Sequence, residues 1–123
     1  GRRIGESATF RDELASLYVD AQAIWFMGYQ GFAKFARGQA SPEHSVLKLF
    51  GSEVAQRAAL VATEALGVSA LDTEFHGMGE DESGDEMPWL KRYLQTYGAT
   101  ISAGASEIQR NIIAQRVLGL PRR

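Results

Sequence analysis

Apolar residues recur at three- and four-residue steps from Thr9 to Arg37, at Leu14, Leu17, Tyr18, Ala21, Ile24, Trp25, Gly28, Phe32 and Phe35. That period predicts a long helix, about 40 Å at about 1.5 Å per residue. Thr9, with Asp12 three residues on, resembles a capping box at its start, and Gly38 closes it. Gly28 and Gly31 weaken it by about 1 kcal/mol each relative to Ala; they read either as close helix–helix contacts or as a slight kink. Ser41-Pro42-Glu43 opens a second helix, with Pro42 where a missing N–H costs nothing. Its stripe is Leu47, Phe50, Val54, Ala58, Val61 and Ala65, thickened by Ala55, Ala59 and Ala62 and stopped by Gly67. The short link from Gly38 to Ser41 predicts antiparallel neighbours. Val68–Met87 is the least regular stretch, holding Gly77, Gly79 and Gly84 and the acids Glu80, Asp81, Glu82, Asp85 and Glu86. Pro88 then opens a shorter helix carrying Leu90, Tyr93, Leu94 and Tyr97 and ended by Gly98. In the closing stretch Ser106 stands where an N-cap belongs, Ile108, Ile112, Ile113 and Val117 form one apolar face, and Gly119 and Pro121 stop the helix. No strand-like alternation lasts beyond a few residues. The expected fold is all-α, an up-and-down helical bundle of two long helices, one short and one medium.

Composition narrows the picture. A chain of 123 residues makes one domain rather than two. At 45% hydrophobic and 23% charged it folds rather than staying disordered. A net charge of −2 gives no electrostatic reason to expect nucleic acid or an anionic membrane as partner. The absence of cysteine removes disulfides, thiolate metal sites and cysteine nucleophiles. No apolar run approaches the roughly 20 residues that span a bilayer, and no signal-peptide pattern is visible, so a cytoplasmic location is expected. Residue 1 is Gly rather than Met, from which we expect a processed chain or a piece of a longer one.

Taken alone, the residues offer little catalytic machinery. His44 and His76 read as ordinary surface residues, and Glu43-His44 and Glu74-Phe75-His76 lack the Glu-x-x-His spacing of a di-iron bundle. The acidic cluster does not alternate as calcium ligands must and reads as a solvated loop. There is neither a Gly-x-Ser-x-Gly elbow nor a phosphate loop. Arg57, Arg110 and Arg116 suit phosphate binding and solvated helix faces equally well. The small run Ser102-Ala103-Gly104-Ala105 stands out, because it lets backbone or a ligand approach closely. It feeds a helix start with Glu107 in the first turn, a natural place for an anionic group.

The string Ser106–Arg122, S-E-I-Q-R-N-I-I-A-Q-R-V-L-G-L-P-R, closely resembles the C-terminal signature of the acyl-CoA dehydrogenases, especially the bacterial branch acting on fatty acids and sterol side chains. Ser45–Gly67 is a second, moderately specific matching block, Arg11–Gly38 a weak one, and the resemblance runs from about Arg2 to Arg123. It implies that residues 1–123 are the C-terminal helical bundle of a larger FAD-dependent enzyme. The reaction is removal of hydrogens from Cα and Cβ of an acyl-CoA thioester, with a carboxylate taking the α-proton and the flavin taking hydride. The implied partners are acyl-CoA and further subunits, identical or different, in a dimer or tetramer sharing the FAD site, with no nucleic acid or membrane. Many members place the catalytic Glu where this chain has Ala103, so the base is missing from its commonest place; some branches carry it on an earlier helix. Gly104 matches a position beside the thioester, and Ala105, Ser106 and Glu107 match a flavin-contacting segment, although Ala105 lacks the usual hydroxyl. Of a second flavin motif, Gln-x-x-Gly-Gly, Gly67 survives and Val68 departs; Arg2, Ile4 and Gly5 echo a third only in part. The first helix of the four-helix bundle is expected to be missing, leaving an exposed apolar groove and a chain that is not a monomer, inactive by itself. Two alternatives stand beside this reading: a non-catalytic subunit or interaction module of the family that has lost the base, and an unrelated helical interaction domain.

Overall fold

The computed structural model describes residues 4–39, 41, 43–71 and 87–121. Among these there are four α-helices and no strand: α1 (Ala8–Ala36), α2 (Glu43–Leu66), α3 (Trp89–Ile101) and α4 (Ser106–Ile112). Short 3₁₀ turns precede α1 at Ile4–Glu6 and follow α2 at Gly67–Leu71, and a π turn, Ile113–Val117, continues α4. The all-α expectation holds. Pro42, His76 and the acidic cluster Glu80–Glu86 lie outside the described residues.

α2 is the central element, and α1, α3 and α4 all pack on it. The Arg57 guanidinium of α2 reaches back to the first half of α1, 3.1 Å from the Asp20 carboxylate and 2.9 Å from Ser16 Oγ. Gly31, late in α1, lies against Ser41 and His44 at the other end of α2. These two contacts run in opposite chain order, so α1 and α2 are antiparallel, as the short connection requires. Gly31 is therefore a close contact point, whereas a Cβ at Gly28 would meet nothing within 4 Å.

Several boundaries differ from the sequence reading. Ser7, not Thr9, caps α1; its Oγ accepts from the Phe10 N–H at 3.3 Å. A cap two positions earlier leaves Asp12 no part in a capping box. α3 runs through Gly98 to Ile101, because the packed face outweighs the modest cost of one glycine in a helix. Ala105 occupies the N-cap position of α4 without a side-chain cap bond, and Ser106 is the first helical residue. The regular part of α4 is shorter than expected, since the chain widens at Ile113, where the Leu118 N–H donates to the Ile113 carbonyl at 3.1 Å. Gly38 and Gly67, at φ 68 and 56, do stop α1 and α2.

The described core is thin. Its buried apolar members are Ala59, Val61, Ala70 and Met87, and no large side chain is fully buried. One face of α1 carries Trp25, Tyr29, Phe32 and Phe35, of which Phe32 and Phe35 are 67% and 69% exposed. Beside it lies an open cleft of about 360 Å³ lined by Ile24, Trp25, Gly28, Tyr29, Phe32 and Leu47. A second cleft of about 460 Å³ separates Leu14 and Tyr18 of α1 from Val54 and Val61 of α2, with Trp89 along it. The exposed apolar groove expected from the sequence is present.

Candidate functional site

The turn between α3 and α4 is the most unusual piece of backbone. Ala103 has φ 53, the one described non-glycine residue at positive φ, and Gly104 follows at φ 101. For an L-residue the left-handed region crowds Cβ against the backbone, and such conformations persist only where their surroundings hold them. Here the surroundings are two side chains. Gln109 of α4 folds back so that its Nε2 donates to the Ala103 carbonyl at 2.9 Å. Lys48 of α2 donates from Nζ to the Gly104 carbonyl at 2.7 Å. The positive φ favours glycine at residue 104, and a Cβ there would stand 2.8 Å from Gln109 Nε2 and displace that amide. Gln109 is itself buried, and its Oε1 has no hydrogen-bond partner among the described residues.

α4 begins immediately after this turn. Helix geometry leaves its first N–H groups without intrahelical acceptors, and the N-cap residue Ala105 makes no side-chain bond to them. Ala105 and Ser106 are half-buried and Glu107 is exposed. The turn thus offers backbone donors next to small side chains, which suits an oxygen-rich or anionic group. It offers no base: Ala103 ends in a methyl group. The nearby acid Glu53 is paired with Arg110, whose Nη2 lies 2.5 Å from its Oε1.

Gly67 lies elsewhere. It ends α2 at φ 56 with open space around it, and Val68 beside it is 85% exposed. Lys48, which touches the turn, is separated from Gly67 by most of α2, about 28 Å at about 1.5 Å per residue. The structure therefore brings Ala103, Gly104, Ala105, Ser106 and Glu107 together and leaves Gly67 apart. Tyr93 and Tyr97 on α3, with hydroxyls 2.8 Å apart, form a further polar feature. The hydrogen bond to Tyr97 raises the Tyr93 phenol above its ordinary range, helped by desolvation, the Tyr97 charge and Glu64.

Sequence reasoning missed Lys48 and Gln109. Lys48 interrupts an apolar run between Leu47 and Leu49, whereas Gln109 lies in a mostly polar run between Ile108 and Arg110, and helical position alone does not say that a side chain reaches a turn in another part of the chain.

Residues 1–118 match the family described as acyl-CoA dehydrogenase, C-terminal domain, and the chain belongs to that family. It is 47% identical over 57 residues to acyl-CoA dehydrogenase IpdE1 of Mycolicibacterium smegmatis, an alignment covering 46% of this chain and 14% of the relative. It is 65% identical over 34 residues to the protein of the same name from Mycobacterium tuberculosis, covering 28% of this chain and 9% of the relative. The matches thus span only a small part of those relatives' length. No solved structure matches the chain.

Proposed function

We propose that this chain, residues 1–123, is the C-terminal bundle domain of a cytoplasmic, FAD-dependent acyl-CoA dehydrogenase that desaturates an acyl-CoA thioester between Cα and Cβ. The single observation that carries this reading is the family match over residues 1–118, which includes the held turn and the whole of α4. Gly104 lies beside the thioester, and Ala105, Ser106 and Glu107 face the flavin. These residues fit such a group through their backbone: an uncapped helix start beside side chains too small to block approach. FAD, when bound, supplies the hydride acceptor. The chain's own part is to bind and orient, since no group in the turn takes a proton; the base lies on another helix or another chain.

The distance between Gly67 and the turn favours a shared site. One chain does not bring both flavin-contact candidates to one place, whereas a second copy or a related subunit supplies the other end. The exposed aromatic face of α1 gives such an assembly an apolar interface. No described helix is long and apolar enough to cross a membrane. A second reading, a non-catalytic partner subunit of the same family, is favoured by the methyl group of Ala103 at the position where many members carry the base.

The deciding experiment is to purify the full-length protein, measure bound FAD, and follow flavin absorbance as acyl-CoA thioesters of different chain classes are added. Flavin bound and bleached by one class supports the dehydrogenase. Flavin bound but bleached only after a related chain is added supports the partner-subunit reading. Absence of FAD binding both by the protein alone and after the related chain is added refutes both. Ala103→Glu in the 123-residue chain alone should create no activity, and flavin reduction by that variant would contradict the proposed division of the site.

A further inference from the structure

The geometry points to Lys48, assisted by Gln109, as a positioning residue that aims the backbone donors of the Ala103–Gly104 turn; this rests on the reading that the turn faces thioester and flavin. Each carbonyl belongs to one rigid peptide plane and stands trans to the N–H of the next residue. Pinning the Ala103 carbonyl to Gln109 at 2.9 Å fixes the plane that carries the Gly104 N–H. Pinning the Gly104 carbonyl to Lys48 at 2.7 Å fixes the plane that carries the Ala105 N–H. Both N–H groups are then turned away from Lys48 and Gln109. Among the described residues neither has an acceptor, so they are available to a carbonyl or phosphate oxygen.

Lys48 is suited to this task in ways that a neutral side chain is not. It is half-buried, and among the described residues no carboxylate lies within ion-pair distance, so its charge serves the carbonyl. A charge-assisted bond of this kind is about twice as strong as a neutral one. It also crosses from α2 to the turn, tying the donors' direction to the bundle rather than to α4 alone. Gln109, on α4 itself, cannot do that.

The test uses the full-length protein and hydrogen–deuterium exchange read by mass spectrometry. Lys48→Met should accelerate exchange of the hydrogen-bonded Ser102 and Gln109 amides that flank the turn by roughly tenfold or more while α1 and the rest of α2 stay unchanged. Lys48→Arg should return the rate to within about threefold of the parent, because a cationic donor is restored. Unchanged exchange in Lys48→Met overturns the proposal, and so does an acceleration spread evenly over α1 and α2, which is the mark of a packing role only. Should Lys48→Met unfold, the same comparison is made with Lys48→Gln, a neutral donor expected to lie between Met and Arg. Titration with FAD separates this inference from the functional reading. If the parent binds FAD and Lys48→Met binds it equally tightly, the positioning role fails. If the parent binds none, alone or with the related chain present, the functional reading fails, and the exchange data still decide whether Lys48 sets the turn.

Discussion

Replacing Gly104 by Ala tests the turn directly. Residue 104 sits at φ 101, where a side chain is strained by about 1–3 kcal/mol. The added Cβ would also stand 2.8 Å from Gln109 Nε2, closer than real contacts. The amide is the far end of a flexible side chain, so it moves while the backbone stays, and its bond to the Ala103 carbonyl is lost at a net cost of about 1 kcal/mol. Against these stands the smaller entropy of the unfolded chain, which favours Ala by about 0.4–1 kcal/mol. The balance is a destabilisation of about 2 kcal/mol. Ala103→Gly is the matched control: it relieves a left-handed Ala, worth about 1 kcal/mol, and gives back about 0.4–1 kcal/mol of unfolded-state entropy, so it should change stability by less than about 0.5 kcal/mol. Equilibrium urea unfolding with unchanged m-values measures both. A loss below about 0.5 kcal/mol for Gly104→Ala, or equal losses for the two variants, would show that the left-handed pair and its Gln109 clamp do not govern the turn.

Three other outcomes are expected. Gly28→Ala should stabilise the fold by about 1 kcal/mol through helix propensity, since the new methyl meets nothing within 4 Å; a destabilised melt would mean that another surface packs there. Phe32→Ser, at a ring that is 67% exposed in the single chain, should lower the mass measured by light scattering at micromolar concentration. A monomeric parent at that concentration would contradict the shared-site assembly. The raised phenol of Tyr93 contributes stability that is present below the ordinary tyrosine range and lost as pH rises through its folded-state value. Tyr97→Phe should bring its titration down towards the ordinary value, followed by tyrosinate absorbance, and an unmoved titration would assign the shift to Glu64 and desolvation instead.

The sequence by itself determined the helices and their order. The apolar stripes of α1 and α2, the stops at Gly38 and Gly67, and the short link between them require an antiparallel pair, because local periodicity and the φ tolerance of glycine act within a few residues. The closing string carried the family. Only the tertiary structure decided which caps are used: Ser7 outcompeted Thr9, and Ala105 holds the N-cap position without any side-chain bond. It also decided that α3 passes through Gly98, that Gly31 is a close contact and Gly28 is not, and that Gly67 lies far from Ala105, Ser106 and Glu107. The held turn depends on it most. Lys48 and Gly104 stand 56 positions apart, and no periodic pattern links a lysine on one helix to a carbonyl beyond the end of another. Such a contact exists only once α2, α3 and α4 have packed, since the packing places the ammonium beside a peptide plane that local preferences alone would leave free to turn.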